Sequence, residues 1–261
     1  MHRYGIPLLV PLALLTACSG GGGDTPSGKD TDGPTAGPGP DTASPTPVLD
    51  ADPARLPKDR KAALDLIAQV IADPESFGPG VVGRSPYESG PATWPVLGAD
   101  RVWRQEKPAD DILATLTRDF EVPAAQGKGP VRLSAVVTVH RTREDAQWEM
   151  AESLEETMRC PTQQLRDGER IGSMVSAALL GGEATQTTSE DSLSEAGEYT
   201  STELGGPQAY AWEQAQSLQF TMAATAGKGA EGRTGKEIAD LVAQGLSTML
   251  TRIGSAVEKQ S

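Results

Sequence analysis

The sequence predicts an α+β domain, an antiparallel sheet of about five or six strands with helices packed on one face, preceded by a signal peptide and a disordered Gly/Pro-rich tether. Three observations lead there. Apolar residues recur every three or four positions near both ends of residues 58–261. Between those ends the apolar period falls to two, and short Gly- and Pro-bearing turns join the alternating stretches.

The first element is an amphipathic helix over residues 58–72. Ala63, Leu66, Ile67, Val70 and Ile71 share a face, and Asp73-Pro74 ends it, because the residue before proline is pushed out of the helical region. Residues 77–99 are dense in Gly and Pro and hold Tyr87 and Trp94, which predicts a loop covering the core with its aromatics. Val102-Trp103-Arg104 reads as a short strand. Ile112, Ala114, Leu116, Phe120 and Val122 then share one parity. After a Gly127-Lys128-Gly129-Pro130 turn, Val131, Leu133, Ala135, Val137 and Val139 alternate with Arg132, Ser134, Thr138 and His140. The two stretches form a hairpin with one packed face and one wet face. Thr142 to Asp145 resembles a capping box, and Ala146, Met150, Leu154 and Met158 mark the buried stripe of the helix that follows, up to Cys160-Pro161. Ile171, Met174, Val175, Ala178 and Leu179 predict a weaker helix ended by Gly181-Gly182, and residues 183–198 a polar loop. Strands are expected over 198–204 and 208–212 around Gly205-Gly206-Pro207, and again where Leu218, Phe220, Met222 and Ala224 alternate with Gln219 and Thr221. A final helix opens with a capping box at Thr234 to Glu237. Its apolar stripe runs through Ile238, Leu241, Val242, Leu246, Met249, Leu250 and Ile253.

The N-terminus reads differently. His2 and Arg3 precede an uncharged apolar run over 6–15, too short for a bilayer core that needs about 20 apolar residues. The run closes on Leu15-Thr16-Ala17-Cys18, which resembles the lipobox of bacterial lipoproteins. That resemblance implies cleavage between Ala17 and Cys18 and lipidation of Cys18, leaving residues 1–17 as a lipoprotein signal peptide. Residues 18–57 begin with Ser19 and four glycines and continue in Gly, Pro, Thr, Ser and Asp; they have almost nothing to bury, so a disordered linker is expected. Within it Asp30-Thr31-Asp32-Gly33 opens like a calcium loop but lacks the later oxygen ligands and the closing Glu. Residues 58–261 are then a single domain.

A formal charge of -13 excludes the clustered cations that nucleic-acid binding uses. Residues 171–227 hold no Lys or Arg, while Glu183, Glu190, Asp191, Glu195, Glu198, Glu203 and Glu213 lie there, which predicts a solvated acidic face or, alternatively, a face for a basic partner. With Cys18 lipidated, Cys160 has no partner within the chain, and it reads as a small buried hydrophobe at a helix end; an intermolecular bridge or a reactive thiol is the alternative.

No catalytic, metal or cofactor motif emerges. Gly227-Lys228-Gly229-Ala230-Glu231-Gly232 matches GxGxxG, but no later parallel strand carries the acidic residue a dinucleotide needs, so it reads as a turn. His140 falls on the polar parity of its strand, a surface or rim position, and no GxSxG elbow accompanies it. The neighbours Asp110-Asp111 and Glu155-Glu156 point apart and form no shared proton site.

The run from Val136 to Ala146, Val-Val-Thr-Val-His-Arg-Thr-Arg-Glu-Asp-Ala, with a helix closing on Arg159-Cys160-Pro161, resembles the PknH-like extracytoplasmic sensor domain of mycobacterial receptor kinases and related lipoproteins. There too a strand enters a helix through a short polar step, the helix ends at a Cys, and a terminal helix closes the domain, as residues 241–253 do here. The resemblance implies an α+β domain with a groove for an envelope-derived ligand and carries over no site residue. That family bears disulfides, and Cys160 lacks a mate.

Three functions are in play: a non-catalytic ligand-binding or sensor module held at the extracytoplasmic face of the cell membrane by its lipid, a structural or protein-interaction lipoprotein of the envelope, and an envelope hydrolase. The first predicts an apolar or mixed cavity between sheet and helices. The second would dock through the acidic stretch. The third would require convergent carboxylates or His140 in a pocket.

Overall fold

The computed structural model describes residues 49–90, 92–178 and 189–259. The expected signal peptide and lipidation site Cys18, the Asp30 stretch, Leu179, Gly181-Gly182 and Glu183 lie outside the described residues. Ordered packing begins upstream of the expected boundary at Lys58. Leu49 is 6% exposed, Ala51 bridges to Glu258, and the Asp52 N–H donates to the Val257 carbonyl at 2.8 Å. Isolated apolar residues such as Leu49 carry no period and so leave no pattern to read.

In chain order the elements are α1 (Arg60–Val70), a short 3-10 turn (Pro74–Phe77), β1 (Val82–Glu88), β2 (Trp94–Leu97), β3 (Trp103–Glu106), β4 (Ile112–Val122), β5 (Val131–His140), α2 (Arg143–Arg159), β6 (Gln163–Arg166), β7 (Glu169–Ala178), β8 (Asp191–Ser201), β9 (Gly205–Ser217), β10 (Phe220–Lys228) and α3 (Gly235–Val257). One antiparallel sheet of eight strands runs β1-β4-β5-β10-β9-β8-β7-β6, and β2-β3 forms a separate ribbon. The ribbon joins the β6 edge: Val102 bridges Gln164 and the Gln164 N–H donates to the Arg101 carbonyl at 2.8 Å. Among the described residues no helix is long and apolar enough to cross a membrane.

Both expected capping boxes form, Thr142 with Asp145 and Thr234 with Glu237. The expected β4–β5 hairpin forms, paired from Ala114 opposite Val139 to Val122 opposite Val131. Its apolar parity enters the main core with α1 and α3, where Ile67, Phe120, Val137, Phe220, Met222, Val242 and Met249 are fully enclosed. The rings of Phe77 and Tyr87 pack on Phe120 with centroids 4.9 and 5.6 Å away.

Four expectations are corrected. The sheet has eight strands rather than five or six, because β1, β7 and most of β8 lie in stretches read as loop or helix. Residues 171–178 do not form a helix; β7 is a strand with a register shift between Gly172 and Val175, and Ser173 sits at φ 53. The extra residue puts Ile171 and Met174 in the same apolar cluster, so a bulge reproduces the i, i+3 spacing of a helix while Val175 turns outward at 66% exposure. The turn between β8 and β9 falls before Gly205, and Gly205-Gly206-Pro207 opens β9; Leu218, expected on a strand, makes the β9–β10 turn at φ 53. Finally, the helices do not share one face. The parity of β5 opposite the main core, carrying Thr138 and His140, is covered by α2. Polar residues were assigned to water there, yet α2 supplies hydrogen-bond partners that let them be buried.

Gly245 lies inside α3, where Ala would ordinarily add about 1 kcal/mol of helix propensity. A Cβ there would stand 2.3 Å from Cε1 of the buried Phe77 ring. Gly245→Ala should therefore lower stability by about 1–3 kcal/mol, despite the propensity gain. Gly254→Ala, whose Cβ would meet Leu49 Cδ2 at an ordinary 3.7 Å, should raise it by up to about 1 kcal/mol. Calorimetric melting of the two variants checks the opposite signs.

Candidate functional site

The site lies on the α2 face of the sheet, and its geometry follows from how α2 is held. Glu149 points into the sheet from α2, its side chain mostly buried. His140 Nε2 of β5 stands 2.6 Å from Glu149 Oε2, Thr221 Oγ1 of β10 donates to the same oxygen at 2.8 Å, and Gln214 Nε2 of β9 donates to Oε1. Three strands thus tie one carboxylate. His140 is 2% exposed, not a surface residue. Its strand parity was read correctly, but the face is covered.

This anchor turns the underside of α2. Ala146 and Met150 are buried as expected, whereas Met158 is 75% exposed. In the C-terminal half the inward face is Ser153, Glu156 and Thr157, spaced from Glu149 by four, seven and eight residues and so on one side of the helix. Beneath them the sheet presents the small side chains of Val136 and Ala223, leaving a cavity of 190 Å3. Its sheet wall is completed by Glu195 of β8, by Tyr210, Trp212 and Gln214 of β9, and by Ile171 and Met174 of β7. Trp94 and Pro95 of β2, Trp103 of β3, and Gln163 and Leu165 of β6 close the side. Trp103 is fixed by its indole Nε1, which donates to Gln163 Oε1 at 2.9 Å.

The electrostatics are one-sided. Glu149, Glu152, Glu156 and Glu195 line the cavity, and among the described residues no Lys, Arg or His does. Burial, reinforced by the Glu152 charge and by Glu195 and Glu149 against a weaker pull from Arg159, raises Glu156 to about 7. Burial also raises Glu195, which is 5% exposed, although the Ser176 and Thr157 hydroxyls donate to it. Tyr210 is pushed up to about 12 by burial, its hydroxyl bonded to Thr225. Gln214 is 3% exposed, and its Oε1 has no hydrogen-bond partner.

The residues singled out in the sequence fare unevenly. Cys160 is the free, buried C-cap of α2. Glu155 and Glu156 diverge as expected, Glu155 meeting Arg159 at 3.1 Å in solvent and Glu156 facing the cavity. The acidic stretch is not uniformly solvated: Glu198 and Glu203 are exposed, Glu195 lines the cavity, and Glu190, its side chain 6% exposed, bonds Arg143 at 2.6 Å. Gly227 to Gly232 forms the end of β10 and a turn. Among the described residues no group of three or more His, Cys, Asp or Glu is placed to hold a metal ion. A wider groove of 570 Å3 runs along β6 past Arg101, Arg166 and Arg170, but there Arg166 is bonded to Glu169. The sequence reading missed the cavity residues Trp103, Gln163, Tyr210 and Gln214 as a group. The available signal was the spacing Glu149, Ser153, Glu156 on α2, which a polar-equals-solvent reading discards.

No family model matches the chain, and no curated protein matches it. The solved extracellular domain of PknH from Mycobacterium tuberculosis is similar over 75% of this chain and 98% of that chain, at 9% identity and a TM-score of 0.42. The likeness is weak and carries no residue across.

A carboxyl whose folded value is raised stabilises the fold below its unfolded value and loses that contribution as pH rises through the folded one. For Glu156 that window runs from about 4.5 to about 7. Glu156→Gln should therefore match the wild type near pH 4 and melt above it at pH 8, by about 2–4 °C for each kcal/mol regained. Equal melting temperatures at pH 8 would show that Glu156 is not burdened by its surroundings.

Proposed function

We propose that this protein is a lipid-anchored, non-catalytic ligand-binding or sensor module at the extracytoplasmic face of the cell membrane. The observation that carries the binding half is the cavity under α2. A domain serving only as a docking surface has no need to leave 190 Å3 open between helix and sheet, because filling such space with side chains adds stability. The non-catalytic half is supported by His140, which is enclosed with Glu149 and Thr221 and is not among the cavity-lining residues. The anchoring half rests on the Leu15-Thr16-Ala17-Cys18 motif and the apolar run before it. A single acyl chain holds a protein only marginally, so the two chains of the diacylglyceryl group that a lipobox implies on the Cys18 thiol matter to stable attachment.

Two measurements check these parts separately. Cells expressing the wild type and Cys18→Ala are fed an alkynyl fatty acid; the wild type should be labelled and run as the shortened form, the variant unlabelled and uncleaved, and label on the variant would remove the anchor. For binding, the purified protein is melted against a panel of amino acids, amino sugars, wall fragments and small amines. Ala223→Leu serves as the comparison, because the added side chain occupies the cavity. At least one compound should raise the wild-type melting temperature and leave Ala223→Leu unmoved, since a ligand at a hundred times its dissociation constant adds about 2.7 kcal/mol. A panel that never separates the two proteins would defeat the binding reading.

A further inference from the structure

We propose that the cavity under α2 binds a small organic cation, an ammonium head on a compact apolar body. The inference deepens the ligand-binding reading and rests on it. Three independent observations on the cavity walls agree.

The first is the charge balance. Of the four lining carboxylates only Glu149 is saturated by partners from the sheet. Among the described residues Glu195 receives hydroxyl hydrogen bonds but no cation, and Arg159, the cation that acts on Glu156, is exposed and pairs with Glu155. An anion entering here would meet carboxylates and no cationic donor. An uncharged apolar ligand would shut the carboxylates away from water without a partner, at a cost of several kcal/mol for each that stays ionised.

The second is the orphan acceptor. Gln214 lines the cavity and spends its amide N–H on Glu149, and its Oε1 is left buried and unpartnered. A buried acceptor without a donor costs about 1–3 kcal/mol, so this wall residue is short of a donor and not of an acceptor. The surplus on these walls is therefore of acceptors.

The third is aromatic. Three of the four tryptophans in the chain, Trp94, Trp103 and Trp212, line this one cavity together with Tyr210. Indole faces attract cations more strongly than other side chains, and aromatic walls are how quaternary ammonium groups are held. A metal ion would need converging oxygens instead, and no such cluster exists among the described residues. Size limits the ligand: 190 Å3 exceeds the roughly 150 Å3 that admits benzene, enough for a trimethylammonium-sized head but not for a peptide.

Proton linkage follows from the same geometry. Glu156 is faced by Glu149, Glu152 and Arg159 from its own helix and by Glu195 from β8. An empty site limits its repulsion by holding protons, and an incoming cation releases them, so binding strengthens as pH rises.

The test titrates the full chain, in a maltoside detergent that carries no ammonium, with choline and with its uncharged isostere 3,3-dimethylbutan-1-ol, read by tryptophan emission and calorimetry. Choline should bind saturably and at least tenfold more tightly than the isostere, and severalfold more tightly at pH 8 than at pH 5.5. Glu156→Gln should weaken choline severalfold and flatten its pH dependence without lowering the melting temperature, and Trp212→Leu should weaken it as well. Glycerophosphocholine assigns the source: weaker binding than choline points to a free cation, equal binding to a lipid headgroup. Equal affinity for choline and its isostere, or choline binding that ignores both substitutions, overturns the proposal. A neutral or anionic compound that stabilises the wild type but not Ala223→Leu would sink the cationic ligand while leaving the binding reading intact.

Discussion

The buried Glu149 carboxylate is the contact on which the arrangement of α2 depends. It is received by His140, Thr221 and Gln214 from three strands of the sheet. Moving a carboxylate out of water costs several kcal/mol, and removing one member of such a set leaves an uncompensated charge at about 3–5 kcal/mol. The network is thus tolerable only when complete, and completeness demands one position and one rotation of α2. That rotation sends Met158 into solvent and turns Ser153, Glu156 and Thr157 toward the sheet. An apolar stripe alone would have chosen otherwise, seating Met158 and filling the space that is now a cavity.

The two faces of the sheet are therefore built on different rules. On the α1 and α3 side, Phe120, Val137, Met222 and Met249 interdigitate in a continuous apolar core, as close packing requires. On the α2 side the anchors are polar, and packing stops short of closure at the cavity that Ala223 and Ser153 help to line. A polar network specifies position without filling volume. This division lets stability reside on one face while the other keeps an opening.

Legibility in the sequence follows the same division. Elements whose apolar period matches their geometry could be read: α1, the β4–β5 hairpin and α3, with the Thr142 and Thr234 caps marking two helix starts. β7 was hidden because its bulge sets Ile171 and Met174 three apart on one face, and β8 because its inward positions Leu193, Glu195 and Tyr199 include a carboxylate where an apolar residue would announce a strand. Likewise the polar parity of β5 was visible, but nothing local says whether a helix returns to cover it. The cavity assembles residues from α2, the ribbon and six strands of the main sheet, and only the carboxylate spacing on α2 had a local trace.

The absence of Lys and Arg across residues 171–227 takes on a different meaning once that stretch is folded. β7, β8 and β9 supply much of the cavity wall, so a cation on their inward parity would place its own counter-ion inside. At Glu169, where Arg166 is bonded and Lys228 lies 3.9 Å away, the chain does supply such partners, and there the carboxyl is held below its ordinary value. At Glu195 it supplies no cation and at Glu156 only the exposed Arg159, and both are raised. Two buried carboxylate environments in one sheet thus differ by whether the sequence carries the neutralising charge. Self-neutralised sites hold the fold together, whereas Glu156 and Glu195 are left short of positive charge among the described residues.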